Sequence, residues 1–199
     1  MRDKIGTICM GLGTVLILAA LSLFLLNQIE DWRAGASVEE TLPQLLERVG
    51  ESDPDPYPSA MTEVEIDGYR YIGYLSVPTL ELTLPVMSQW SYEGLKIAPG
   101  RFSGATFTDD LVICGHNYAR HFSPLKWLEA GTEVDFTDMD GVTWRYEVLA
   151  VEILRPTQVE EMIGKTQGDE WDLTLFTCTY GGESRAAVRC GRITEDAGS

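Results

Sequence analysis

Apolar positions run without a charge from Ile5 to Leu26, and beyond about residue 62 they break into short stretches parted by polar turns. At helical rise the first run spans about 33 Å, enough to cross a hydrocarbon core of about 30 Å. It predicts an N-terminal transmembrane helix. Arg2 and Lys4 precede it, and Glu30 and Asp31 follow. The positive-inside rule then gives a single-pass protein of the cell membrane, with a cytoplasmic N-terminus and an extracellular remainder. A cleaved signal peptide is the rival, because Ala34-Gly35-Ala36 has the small-x-small form of a cleavage site. That triplet lies beyond Glu30, Asp31, Trp32 and Arg33, and the apolar run exceeds a signal-peptide core, so an anchor is the preferred reading.

The next stretch reads as a connector. Ser37-Val38-Glu39-Glu40 and Thr41-Leu42-Pro43-Gln44 have capping-box form, and Leu42, Leu45, Leu46 and Val49 make a short apolar stripe. Together they predict a helix. Prolines at 54, 56 and 58 forbid helix or central strand there. The chain therefore divides into an anchor over 1–27, a helical and proline-rich linker over 28–61, and a domain over 62–199.

Within that domain the predicted strands are Tyr71–Val77, Leu82–Met87, Leu111–Cys114, Glu133–Phe136, Thr143–Val151, Leu173–Cys178 and Ala186–Ile193. They are β-branched or aromatic and bounded by Gly, Pro or Asp turns. Asp140-Gly141 predicts a type I′ hairpin. Short helices are expected at Ser123-Pro124 and at a capping box over Thr157–Glu160. The class is mainly β, a closed barrel or sandwich.

Composition narrows the function. The net charge is −16, from 15 basic and 31 acidic residues. Such a surface excludes nucleic acid as partner and broad docking on anionic lipid. Of the four cysteines, Cys9 lies in the apolar run, whereas Cys114, Cys178 and Cys190 lie beyond it. An odd number in an exported domain implies a free thiol. Cys114 and Cys190 either pair with each other or pack.

Three polar positions fall at strand ends. One apolar strand stops at His116, a second stops at Cys178, and Arg185 opens the strand after the Thr179–Ser184 loop. A thiol needs deprotonation, an imidazole can carry that proton, and a guanidinium can steady a developing oxyanion. If the loop closes a hairpin, Arg185 lies opposite Cys178, with Arg189 about 13 Å further along at about 3.4 Å per residue. Arg185 is the candidate and Arg189 is structural. His121 is a loop residue or groove contact.

Thr174-Leu175-Phe176-Thr177-Cys178, with Gly115-His116-Asn117 upstream and Arg185 downstream, resembles the sortase family over roughly residues 62–194. The resemblance implies an eight-stranded β-barrel and catalysis by His116, Cys178 and Arg185. It implies recognition of a sorting signal similar to Leu-Pro-x-Thr-Gly on surface proteins, with Thr177 lining the signal-binding groove. It further implies a thioacyl-enzyme resolved by an amine from peptidoglycan or a pilin. The residues Asp53 to Tyr57 resemble the Asp-Pro-aromatic lid of pilus-building sortases. No cofactor is expected; Asp138 and Asp140 are the acidic positions that would take calcium, and a solvated turn is the preferred reading for them. The competing functions are a cysteine endopeptidase that releases peptide to water, a non-catalytic binding domain, and a metal site from Cys114, His116, His121 and Cys178.

Overall fold

A computed structural model of the chain describes residues 2–51, 55–165 and 168–194. The first element, α1 (Arg2–Arg48), is one helix of 47 residues. It passes through both predicted capping boxes. Ser37 therefore does not start a helix; its hydroxyl donates back to the Arg33 carbonyl at 3.1 Å. Pro43 sits inside the helix and removes one ladder donor. The sequence signals for a helix start lose because α1 is held along its outer half by the domain. Leu45 is fully buried with Ile66, Tyr71 and Met87, and Arg48 donates to the Glu65 carbonyl at 3.2 Å.

Nine strands follow: β1 (Val64–Ile66), β2 (Tyr69–Val77), β3 (Leu82–Met87), β4 (Gly100–Ser103), β5 (Leu111–Gly115), β6 (Glu133–Asp138), β7 (Thr143–Leu154), β8 (Leu173–Cys178) and β9 (Arg185–Arg192). The order β2-β3-β4-β5-β8-β9-β7-β6 returns to β2, so eight strands close a barrel and β1 hangs on β2 as a hairpin. Closure removes the open edges of the sheet. β1 and β4 went unpredicted because they are only three and four residues long. The type I′ turn is also not where expected. Its two positive φ values belong to Asp67 and Gly68, whereas at 140–141 only Gly141 is left-handed.

The barrel interior is filled by Ile72, Leu75, Leu84, Val86, Leu111, Ile113, Phe136, Leu173, Leu175 and Val188, each almost wholly buried. β8 is buried on both faces, which is why it reads as a continuous apolar run. Its outer side lies under Phe102 and Met162. Met162 belongs to α2 (Val159–Ile163), whose N-cap Gln158 makes no side-chain cap bond; the predicted capping box at Thr157 is not formed. The other predicted helix is a 3₁₀ turn over Ser123–Trp127.

Candidate active site

β5 and β8 run parallel in a register that sets Gly115 beside Thr177. His116 and Cys178 are each one residue further on. β9 runs antiparallel to β8 and sets Arg185 opposite Cys178. The three residues therefore occupy adjoining strand ends, at an inter-strand spacing of about 4.8 Å. The hairpin register predicted from the Thr179–Ser184 loop is the register found. All three side chains are partly exposed.

Each strand end is held by its own device. Thr177 is 2% exposed, and its hydroxyl donates to the Gly115 carbonyl at 2.8 Å, tying β8 to β5. A Cβ on Gly115 would lie 2.6 Å from the Phe122 ring. Glycine there lets Phe122 fold back and donate its backbone N–H to the His116 carbonyl at 3.2 Å. The His116 ring stacks on Tyr118, centroids 4.7 Å apart. Burial lowers the His116 pKa; Glu30 pulls it up, and Lys96 pushes it further down. A histidine kept neutral near pH 7 can accept a thiol proton. Arg185 Nη1 donates to the carbonyls of Gly182 (3.1 Å) and Ser184 (3.0 Å), which turn the guanidinium back over its loop.

Cys178 and Arg185 border a groove of about 280 Å³ that also includes Trp90, Tyr92, Phe102, Val159 and Met162. Trp90 stacks on Phe102 at 5.4 Å, and Phe102 meets Phe176 edge-on at 5.3 Å. This aromatic wall went unread in the sequence because its members come from separate loops and strands.

The remaining candidates separate from the site. His121 is fully buried and Nε2 lies 3.4 Å from the Ala34 carbonyl. Burial drives its pKa down to about 4, so it is neither groove contact nor base. All four cysteines are free, so Cys114 and Cys190 do not pair. Cys114 borders the groove with its thiol pushed up to about 12 by burial; Cys190 faces the barrel core. Arg189 is 2% exposed. It donates to Glu152 (2.9 Å), Thr174 (2.9 Å), the Met162 carbonyl (3.0 Å) and the Glu161 carbonyl, with its guanidinium 4.6 Å over Trp171. It braces α2 and lies away from Cys178. The Asp138 carboxylate accepts from Asp140 N, Val142 N and Trp144 Nε1, which closes a turn. Among the described residues no group of three or more His, Cys, Asp or Glu could hold a metal ion. Asp55 and Pro56 line a different hollow, with Phe107 and Trp144, and Tyr57 is 88% exposed. Asp53 and Pro54 lie outside the described residues.

A thiol and a guanidinium bordering an apolar groove, with an imidazole at the adjoining strand end, have the chemical capacity for cysteine-dependent acyl transfer. The sortase-domain family profile matches residues 75–193, and the chain belongs to the sortase family. Sortase C1 of Streptococcus suis superposes with a TM-score of 0.54 at 29% identity, over 64% of this chain and 75% of that one. Sortase C of Streptococcus pneumoniae gives 0.56 at 23% identity, over 82% and 92%. Sortase A of Corynebacterium diphtheriae gives 0.55 at 19% identity, over 91% and 98%. No curated protein matches this chain. Membership of the family implies cysteine transpeptidase activity.

Proposed function

We propose that this sortase is held in the cell membrane by residues 1–27, connected through 28–61 to a catalytic domain over 62–199, and cleaves a Leu-Pro-x-Thr-Gly-like sorting signal. The observation that carries the reading is the register of β5, β8 and β9, which sets His116, Cys178 and Arg185 at adjoining strand ends, beside a groove that Cys178 and Arg185 border. Its aromatic wall suits an extended peptide bearing apolar and proline side chains. His116 takes the Cys178 thiol proton, the resulting thiolate attacks the threonine carbonyl, and Arg185 stabilises the oxyanion. The C–N bond to glycine then breaks. The leaving amine takes its proton from His116, and a thioester remains on Cys178. An amine from a cell-wall peptide or a pilin attacks the thioester, gives its proton to His116, and forms the new amide as the Cys178 thiolate leaves, to be reprotonated by His116. Thr177 contributes as the tie that fixes β8 at the groove floor.

The Streptococcus pneumoniae structure bears on pilin substrate specificity, which motivates pilin lysines as one acceptor class beside peptidoglycan amines. The test is incubation with a panel of sorting-signal peptides, with and without amines, read by mass spectrometry. A Cys178-linked acyl adduct and amine-dependent ligation are expected. Release to water at a rate indifferent to amine would instead establish an endopeptidase. A Cys178 with no adduct under any condition would sink the reading.

A further inference from the structure

Ala34-Gly35-Ala36 has the form of a cleavage site, yet it lies inside α1 and is packed against the loop that carries His116. Ala34 is fully buried, and its carbonyl faces His121 Nε2 at 3.4 Å. A Cβ on Gly35 would lie 2.3 Å from Arg120 Cδ and 2.9 Å from Arg120 Nη1. One turn earlier, Asp31 Oδ1 accepts the Arg120 backbone N–H at 3.3 Å. One turn later, Glu39 lies 3.8 Å from Arg120 Nη1. These contacts hold Arg120 and His121, which close the same loop as His116. The backbone bonds His121 N to Tyr118 O (3.1 Å) and Phe122 N to His116 O (3.2 Å) complete it. A glycine in a helix interior costs about 1 kcal/mol against alanine. The close approach of Arg120 gives that glycine a packing reason.

We infer that the outer half of the anchor helix, through Asp31, Ala34 and Gly35, is a positioning element for His116, so that α1 is a working part of the cleft as well as a tether. This rests on the transpeptidase reading above. The groups that face His116 are Glu30 of α1, Lys96 of the Gly94–Lys96 turn, and Tyr118 and His121 of its own loop. Only α1 supplies a carboxylate among them. Moving the loop off α1 therefore changes the solvation of the imidazole and separates it from Glu30.

The test uses the full chain in detergent. Gly35→Leu should lower kcat for acyl-enzyme formation about tenfold or more, leave KM within about twofold, and displace the pH profile. The His116 imidazole titration, followed by NMR, should move as well. That titration reads the positioning whether or not a given peptide reacts, so failure of the functional reading shows separately, as a wild-type protein without adduct. Arg120→Ala removes the atoms that a Cβ would strike. Gly35→Leu/Arg120→Ala should recover kcat and the titration to within about threefold of wild type, as expected of two residues in contact. If Gly35→Leu does not fold, Gly35→Ala and Asp31→Ala carry the same readouts. A folded Gly35 variant with wild-type kcat and wild-type His116 titration would overturn the proposal. So would a double variant that stays impaired while Arg120→Ala alone is active.

Discussion

Two arginines on one face of β9 show how position within a strand divides chemistry from support. Arg185 is registered opposite Cys178 and is partly open to the groove. Arg189, opposite Thr174, is buried and bonded on every side. Arg185→Lys should therefore cut acyl-enzyme formation about 100- to 1,000-fold, the usual loss of one oxyanion donor. Its melting temperature should stay near wild type. Arg189→Ala should do the reverse. It should lose about 1–3 kcal/mol of stability, the cost of leaving the buried acceptors on Thr174 and Met162 unpaired, measured by denaturant titration. Cys178→Ala and His116→Ala should both be folded and inactive in the same assay, since one removes the nucleophile and the other the proton carrier.

His121 supplies a pH dependence of stability. Burial holds its folded pKa at about 4, against an ordinary value of 6.5. His116 beside it pushes the same way, and Asp31 on α1 pulls back. The unfolded chain therefore binds the proton first. The stabilisation is complete above about pH 6.5 and is lost as the pH falls through 4. The gap is worth roughly 3 kcal/mol at about 1.4 kcal/mol per pKa unit. Denaturant titrations at pH 7.5 and pH 4.5 should show a smaller difference for His121→Leu than for wild type. An equal difference would mean that His121 does not titrate across this window.

At the scale of elements, barrel closure depends on β2 pairing with both β3 and β6, and Gly73 sits at that junction. Its φ is +146°, and a Cβ there would lie 2.1 Å from the Thr137 carbonyl oxygen. Gly68 in the β1–β2 turn is also left-handed, at φ +81°, but a Cβ would meet nothing within 4 Å. Gly68→Ala should therefore cost about 1–2 kcal/mol, from backbone strain alone. Gly73→Ala should cost about 3 kcal/mol or more, because overpacking adds to strain at the barrel seam. Thermal melts of the two variants separate the effects.

The same scale explains what the sequence disclosed. β3 and β8 were legible to the residue because each is a dense apolar run between turns. The strand end at Cys178 followed from the β8 run, and with it the placing of Arg185; β5, expected over Leu111–Cys114, runs one residue further to Gly115 and leaves His116 just past its end. β4 has just one strongly apolar residue, Phe102, too little for an alternating pattern. The continuous α1 was misread because Ser37, Thr41 and Pro43 are locally strong start signals. Tertiary packing of Leu45 and Ala34 overrides them, and no one-dimensional pattern reports that contact. Asp140-Gly141 carried the right residue pair for a type I′ turn, but Asp138 accepts the local N–H groups and sets a longer turn instead.

For the whole molecule, α1 joins the apolar segment to the barrel without a flexible break. Its Cys9–Arg48 stretch contains an 18-residue window with a mean hydropathy of 2.4, apolar enough to cross a membrane. Leu26 to Asp31 is about 7.5 Å of helix, so the His116 loop is seated close to the end of the apolar run. Large apolar side chains there, such as Leu23, Phe24 and Leu25, are 57–68% exposed, a surface that a bilayer would cover and water would not favour. Trp32 follows, at the level where aromatic residues favour the membrane interface. Cleavage after Ala36 would require unwinding α1 where Ala34 and Gly35 are packed against the domain. It would also remove Asp31 and the seat of the His116 loop. The protein should therefore stay whole: its intact mass should include residues 1–36, and it should sediment with membranes and resist alkaline carbonate extraction. Protease added to intact cells should digest the barrel if the positive-inside rule holds for Arg2 and Lys4 ahead of the apolar run. Soluble protein in the medium beginning at Ser37 would show that the apolar run is a signal peptide and that the barrel works without α1.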